Sequence, residues 1–211
     1  MTSVSELIVS SYHLASMQHE AVINAWISGS TRLGSALPNS LLILSIQRAG
    51  RLDIVLRCME DEITSGTLQE ATSLFVTDHL ASFSEIWIGQ VYEIVRLTSE
   101  RKLITDSDFL GALAHDLRLL RVPMEKYEIA QDKSLKAPLL MSKSPAKNGD
   151  FQYSYNRKDL RRAHIMPAGI SHRGFMQWRA IDLSGGLTER WIERRDLSDR
   201  LLQLIEGIPS P

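Results

Sequence analysis

The residues best suited to chemistry in this sequence lie between positions 107 and 131, SDFLGALAHDLRLLRVPMEKYEIAQ. His115, Arg118 and Arg121 follow one another at steps of three, which places them along one side of a helix. Two guanidinium groups at this spacing can bind phosphate, and an imidazole can take up a proton near neutral pH. We therefore predict a catalytic set on this helix and its tail: Arg121, Tyr127, Arg118 and His115.

The segment from Arg121 to Tyr127, RVPMEKY, resembles the signature of the HEPN superfamily, an arginine followed after four to six residues by a histidine. The resemblance covers residues 68–131. It implies a helical bundle and a homodimer with juxtaposed motifs. It also implies action on RNA in toxin–antitoxin or phage-defence systems. Tyr127 stands where the family has histidine. Because the ordinary pKa of tyrosine is about 10, a tyrosine is a poor base at neutral pH, and the resemblance leaves catalysis open.

Each of these residues also has a structural interpretation. Arg118 and Arg121 on a polar helix face can be solvated or paired with nearby carboxylates such as Glu125 or Asp116. His115 can contribute a hydrogen bond at the edge of the core. A tyrosine at position 127 can bury its ring and keep its hydroxyl in water.

A second candidate region is the basic run at residues 153–173, YSYNRKDLRRAHIMPAGISHR. Cations interleaved with aromatic rings can hold phosphates and stack on bases. The sequence therefore predicts a nucleic-acid-binding set: Arg157, Lys158, Arg161, Arg162 and Arg173. Such a loop also suits a protein interface or a solvated connection. The alternative function is thus a non-enzymatic homodimeric module that binds a protein partner or nucleic acid.

Charge and motifs narrow the remaining function classes. Residues 143–211 carry 12 Lys and Arg against 8 Asp and Glu, within a net charge of −1, so an anion-binding face belongs to the C-terminal third. The sequence has no P-loop, no GxGxxG after a strand, no HExxH and no GxSxG. Cys58 is the only cysteine, and no histidine lies four residues from another. We expect no metal site, no disulfide and no cofactor.

Composition places the chain among ordinary globular proteins, with 44% hydrophobic and 23% charged residues in 211. The N-terminus has no basic region followed by a long apolar run, which argues against a signal peptide. No stretch of eighteen uninterrupted apolar residues occurs, so a membrane span is not expected. We expect a cytoplasmic protein.

Hydrophobic periodicity predicts a mainly helical α+β fold. Helices are expected over residues 5–28, 41–64 and 68–102, with a loop between the first two. The first helix could be broken in its middle. The start of the second helix could instead be a short strand, and Gly50 is a weak point within it that costs about 1 kcal/mol relative to alanine. The third could divide near Ser82. A further helix, which carries His115, is predicted by the apolar repeat of Leu113, Leu117 and Leu120. It should end or kink at Val122, before Pro123.

After residue 136 the pattern changes to loops and strands. Residues 137–150 read as a loop and FQYSYN as a strand. A hairpin is expected around Ser184-Gly185-Gly186, with Trp191 opposite Trp178, Met176 or Ala180. Both tryptophans should pack on the bundle, and a helix should end the chain. We therefore expect a helical bundle over residues 1–136 and a small antiparallel sheet with a terminal helix over 137–211, packed as one composite domain.

Overall fold

The computed structural model describes residues 3–66, 70–104, 107–142 and 152–208. The fold is α+β and mainly α, as predicted: a helical bundle, small antiparallel sheets and a C-terminal helix. The described helices are α1 (Val4–Gln18), α2 (Glu20–Ser35), α3 (Leu42–Ser65), α4 (Glu70–Glu100), α5 (Ser107–Lys126) and α6 (Arg194–Glu206). The strands are β1 (Leu139–Ser142), β2 (Gln152–Tyr155), β3 (Ala168–Ile170), β4 (Met176–Asp182) and β5 (Thr188–Glu193).

The first predicted helix is two helices, which meet at His19. We expected a loop after residue 28. This prediction is wrong for residues 29–35, because α2 continues through Gly29 and Gly34. Both glycines are buried where another helix crosses: a Cβ on Gly29 would clash with Ile205, and one on Gly34 with Ile43. The absence of a side chain at these two positions allows the helices to pack closely, and neither glycine forms a turn.

The long middle helices are continuous. α3 is helical from its start, so the strand alternative is wrong: Leu42 and Ile46, four residues apart, both face the core. α4 is one helix and does not divide near Ser82.

We expected α5 to end or kink at Val122. The prediction of an end is wrong, because the helix continues through Pro123 to Lys126. The amide of Tyr127 donates to the carbonyl of Pro123 at 3.0 Å, which closes the last turn. A proline removes one hydrogen bond from the ladder, and tertiary packing of the buried Leu117 and Leu120 keeps the remainder in place.

The strands form two small antiparallel sheets, β1–β2 and β3–β4–β5. β1 falls inside the predicted loop at 137–150, and β3 lies inside the basic run, so both strands were missed. Residues 143–151 lie outside the described part of the chain. The predicted hairpin is present as β4 and β5.

The register of this hairpin corrects one expectation. Trp178 pairs with Ile192, and Trp191 pairs with Arg179 on the opposite face. Trp178 is therefore buried against the bundle, whereas Trp191 is 50% exposed. A one-residue difference in register decides which side chain is buried, and the sequence did not determine it.

The main core contains residues of α1 to α6 together with Met176, Trp178, Ala180 and Ile192 of the hairpin. A second, smaller core forms where β1 and β2 meet the tail of α5, around Ile129, Met141 and Tyr155. None of the described helices is both long and apolar enough to cross a membrane.

Candidate functional site

A groove of about 300 Å³ runs between α4 and α5, and we call it the α4–α5 groove. It contains two of the predicted catalytic residues, His115 and Arg118. The facing wall comes from α4. The complete lining is Tyr92, Arg96, Ser99, Glu100, Gly111, Ala114, His115 and Arg118.

His115 is held by a carboxylate that comes from the end of β4. Its Nε2 lies 2.7 Å from Asp182 Oδ2, and the two side chains are 26% and 14% exposed. Burial would raise the pKa of Asp182, but hydrogen bonds from His115 and from the amide and hydroxyl of Ser184 lower it to about 2. The carboxylate is therefore ionised and can only accept, so Nε2 of His115 is the donor in this hydrogen bond.

Arg118 is the cation of the groove that remains available to a ligand. No hydrogen bond or ion pair is recorded for its guanidinium within the described residues. Its neighbour Arg96 is paired with Glu93 at 2.8 Å and with Glu100 at 2.6 Å. His115 and Arg118 are one turn apart, which puts their Cβ atoms about 5–6 Å from each other.

Arg121 lies beside the groove and is engaged by other side chains. It forms ion pairs with Glu125 at 2.9 Å and with Glu93 at 3.3 Å. Its guanidinium also stacks over the ring of Tyr92, 4.6 Å from the centroid. The pairing with Glu125 is the one that the structural interpretation of the sequence anticipated.

Tyr127 follows the last residue of α5 and is 66% exposed. Its φ of 57° is left-handed, as is common where a helix ends. No contact with Arg121 is recorded among the described residues, so the structure does not bring the two halves of the HEPN-like motif together within one chain.

Three cations of the basic run hold the fold of this segment. Arg162 is paired with Glu128 and Asp132, both at 2.8 Å, and Arg173 with Glu193 at 2.9 Å and Asp196 at 3.2 Å. Arg157 donates to the carbonyl of Lys133. These contacts tie the run to the α5 tail and to α6.

Lys158 and Arg161 are the remaining two members of the predicted nucleic-acid-binding set. Both are exposed, and no partner for their charged groups is recorded within the described residues. Arg161 lines a second groove of about 300 Å³ with Tyr153 and Asp159. The basic run therefore offers a ligand far fewer cations than the sequence suggested.

Sequence reasoning missed a buried ionic network between α3 and the start of α6. Arg194 donates to Asp53 at 2.5 Å and to Glu60 at 2.7 Å, and all three side chains are fully buried. Burial alone would raise the pKa of Asp53, but Arg194 and Arg57 keep it below its usual value. Burial would likewise lower the pKa of Arg194, yet the two carboxylates raise it. The network connects α3 to the start of α6.

Within the described residues, no group of three or more His, Cys, Asp or Glu side chains is arranged to hold a metal ion. Comparison of the chain with protein-family models, with curated proteins and with solved structures gave no match in any of the three searches.

Proposed function

We propose that this protein is a homodimeric, HEPN-like RNA-acting protein that binds RNA in the α4–α5 groove. We propose further that it cleaves the RNA at a ribose 2′-hydroxyl. The observation that carries the proposal is the hydrogen bond between His115 Nε2 and Asp182 Oδ2, beside the guanidinium of Arg118, for which the described part of the chain records no partner. This arrangement provides an oriented base, His115, and a cation that can bind phosphate, Arg118, one helical turn apart.

The chemistry follows from the two side chains. His115 Nδ1 takes the proton of the 2′-hydroxyl, and the 2′-oxygen attacks the adjacent phosphorus while Arg118 neutralises the phosphate oxygens. The bond from phosphorus to the 5′-oxygen breaks, and that oxygen takes up a proton from water. The products are a 2′,3′-cyclic phosphate and a free 5′-hydroxyl. Asp182 stabilises the imidazolium that forms, as the carboxylate of a catalytic triad does.

This assignment gives His115 the role that the motif spacing alone would give to residue 127. The ordinary pKa of histidine is about 6.5 and suits proton transfer at neutral pH, whereas that of tyrosine does not. Arg121 borders the groove and adds positive charge, but its pairs with Glu93 and Glu125 must open before it can contact RNA.

The test measures binding and cleavage of a labelled single-stranded RNA by four proteins. These are the wild type, Arg118→Ala, His115→Ala and the double variant Lys158→Ala with Arg161→Ala. Arg118→Ala should weaken binding about tenfold, which corresponds to about 1.4 kcal/mol. His115→Ala should bind within about twofold of the wild type and cleave at least about 100-fold more slowly. The same oligonucleotide with deoxyribose should remain intact.

The double variant in the basic run is the matched control, because it also removes exposed cations without a recorded partner. If it abolishes binding while Arg118→Ala binds normally, the site is the basic run, and the binding-module alternative replaces this proposal. Binding that depends on Arg118, without cleavage by the wild type, would remove only the catalytic half.

A further inference from the structure

Helix α1 presents an apolar surface that nothing in the described chain covers. Six large apolar side chains on this helix are between 50% and 80% exposed: Val4, Leu7, Ile8, Val9, Leu14 and Met17. Among its residues, Glu6 is the only Asp, Glu, Lys or Arg. Single exposed apolar residues are common on protein surfaces, but four of these six, Val4, Leu7, Ile8 and Leu14, lie together along one groove. An exposed apolar set of this kind marks an interaction site.

Part of this surface forms one wall of a long groove, which we call the α1 groove. Its volume is about 710 Å³. Leu7, Ile8 and Leu14 form the α1 wall, Val55 and Met59 of α3 lie on the floor, and Phe83 of α4 lies opposite. The apolar surface continues along α4, where Phe75 and Ile86 are 70% and 54% exposed on the side that carries Phe83. A further helix could pack in this groove, between α1 and α4 and over α3.

We propose that the α1 groove is the interface between two copies of this chain, with α1 of each copy lying in the groove of the other. A two-fold axis would relate the copies, so the two α1 helices run antiparallel. This interface lies on the other side of α4 from Arg118 and His115, so it would not juxtapose the two RNA sites as the HEPN resemblance implies. It does not depend on RNA binding, because the RNA test measures the effects of Arg118 and His115.

The exposed area is of the size that a stable dimer needs. Seven large apolar side chains face this side of the molecule: Val4, Leu7, Ile8, Leu14, Phe75, Phe83 and Ile86. Together they present an area on the order of 700 Å², and each partner of a standard interface buries about 800 Å².

Two other occupants fit less well. A helix that lies on a membrane surface carries Lys or Arg on its polar face, and α1 has neither. A small-molecule site buries most of its ligand, whereas Val4, Ile8 and Leu7 in the wall remain at least half exposed.

Sedimentation equilibrium of the whole chain tests the dimer. The wild type should be dimeric at about 10 µM, and Leu7→Glu with Leu14→Glu should be monomeric to about 100 µM. The matched control is Val9→Glu with Met17→Glu, which adds the same charge to the same helix at exposed positions outside the groove. This control should remain dimeric. Circular dichroism should show both double variants folded.

A wild type that is monomeric at about 100 µM, or a control variant that dissociates as readily as the groove variant, would overturn the proposal. Loss of the dimer without loss of Arg118-dependent RNA binding would leave the RNA site standing.

Discussion

His115 and His164 show at the residue scale how surroundings determine what an imidazole can do. His115 is about one quarter exposed and is oriented by Asp182. His164 is 4% exposed, and its Nδ1 lies 3.0 Å from the hydroxyl of Tyr153. Burial, and then the positive charge of Arg179, lowers the pKa of His164 to about 4. The His164 side chain is therefore neutral and buried at neutral pH. The backbone amide of His164 donates a hydrogen bond to the carbonyl of Tyr127.

This lowered pKa predicts a loss of stability in mild acid. In the unfolded chain the pKa of His164 returns to about 6.5, so between pH 6.5 and pH 4 the unfolded state binds a proton that the folded state does not. The free energy of unfolding should fall as the pH falls through this window, by on the order of 3 kcal/mol. Urea denaturation at several pH values measures it.

His164→Gln should remove most of this dependence, and the exposed His172→Gln is the control that should keep it. A residual slope is expected from His19, whose pKa is also lowered by burial. If His164→Gln loses stability between pH 6.5 and 4 as steeply as the wild type, another group carries the effect.

At the element scale, hydrophobic periodicity was sufficient to predict a helix that has one apolar face. The prediction failed where tertiary packing overrides the local effect of glycine or proline. The repeat of Leu113, Leu117 and Leu120 predicted α5 correctly. Glycines in α2 and the proline in α5 were interpreted as breaks, but their neighbours in space hold the helices intact. The hairpin was predictable from Gly185 and Gly186, yet its register was not.

Gly50 provides a test of this difference at the level of one helix. Its position in α3 suggested a weak point, but a Cβ there would lie 2.5 Å from Cγ of the buried Trp26. Gly50→Ala should therefore destabilise the protein by about 2 kcal/mol despite the better helix propensity of alanine. Thermal denaturation measures the change.

The matched variant is Gly111→Ala in α5, where a Cβ would meet nothing within 4 Å. This variant should gain about 0.5–1 kcal/mol, because only the propensity changes. Equal effects of the two substitutions would mean that Trp26 moves aside and that the close approach is not required.

At the scale of the whole molecule, the ionic network around Arg194 joins α3 to α6, two helices that are far apart in sequence. Arg194 and Asp53 are 141 residues apart in sequence, and charged residues are seldom fully buried, so their pairing could not be predicted from spacing. The candidate site has the same limitation. His115 and Arg118 were recognisable from their helical spacing, but Asp182 is 67 residues from His115 and is brought near it by β4.

Removing Arg194 should be far more costly than removing a surface arginine. Arg194→Met would leave Asp53 and Glu60 buried without their shared partner, and we expect a loss of about 3–5 kcal/mol in the free energy of unfolding. Arg96→Met, which breaks two exposed pairs with Glu93 and Glu100, should leave the free energy of unfolding nearly unchanged, because water and salt screen these pairs. Chemical denaturation of both variants measures the difference. Similar losses would contradict the structural role assigned to the network.

RNA binding in the α4–α5 groove can be observed most directly by nuclear magnetic resonance during titration with a short single-stranded RNA. The signals of the His115 ring and of the Arg118 guanidinium should shift progressively, while those of Lys158 and Arg161 stay in place. With Arg118→Ala, about tenfold more RNA should be needed to reach the same His115 shifts. Shifts confined to Lys158 and Arg161, with an unchanged His115 ring, would contradict RNA binding in the α4–α5 groove.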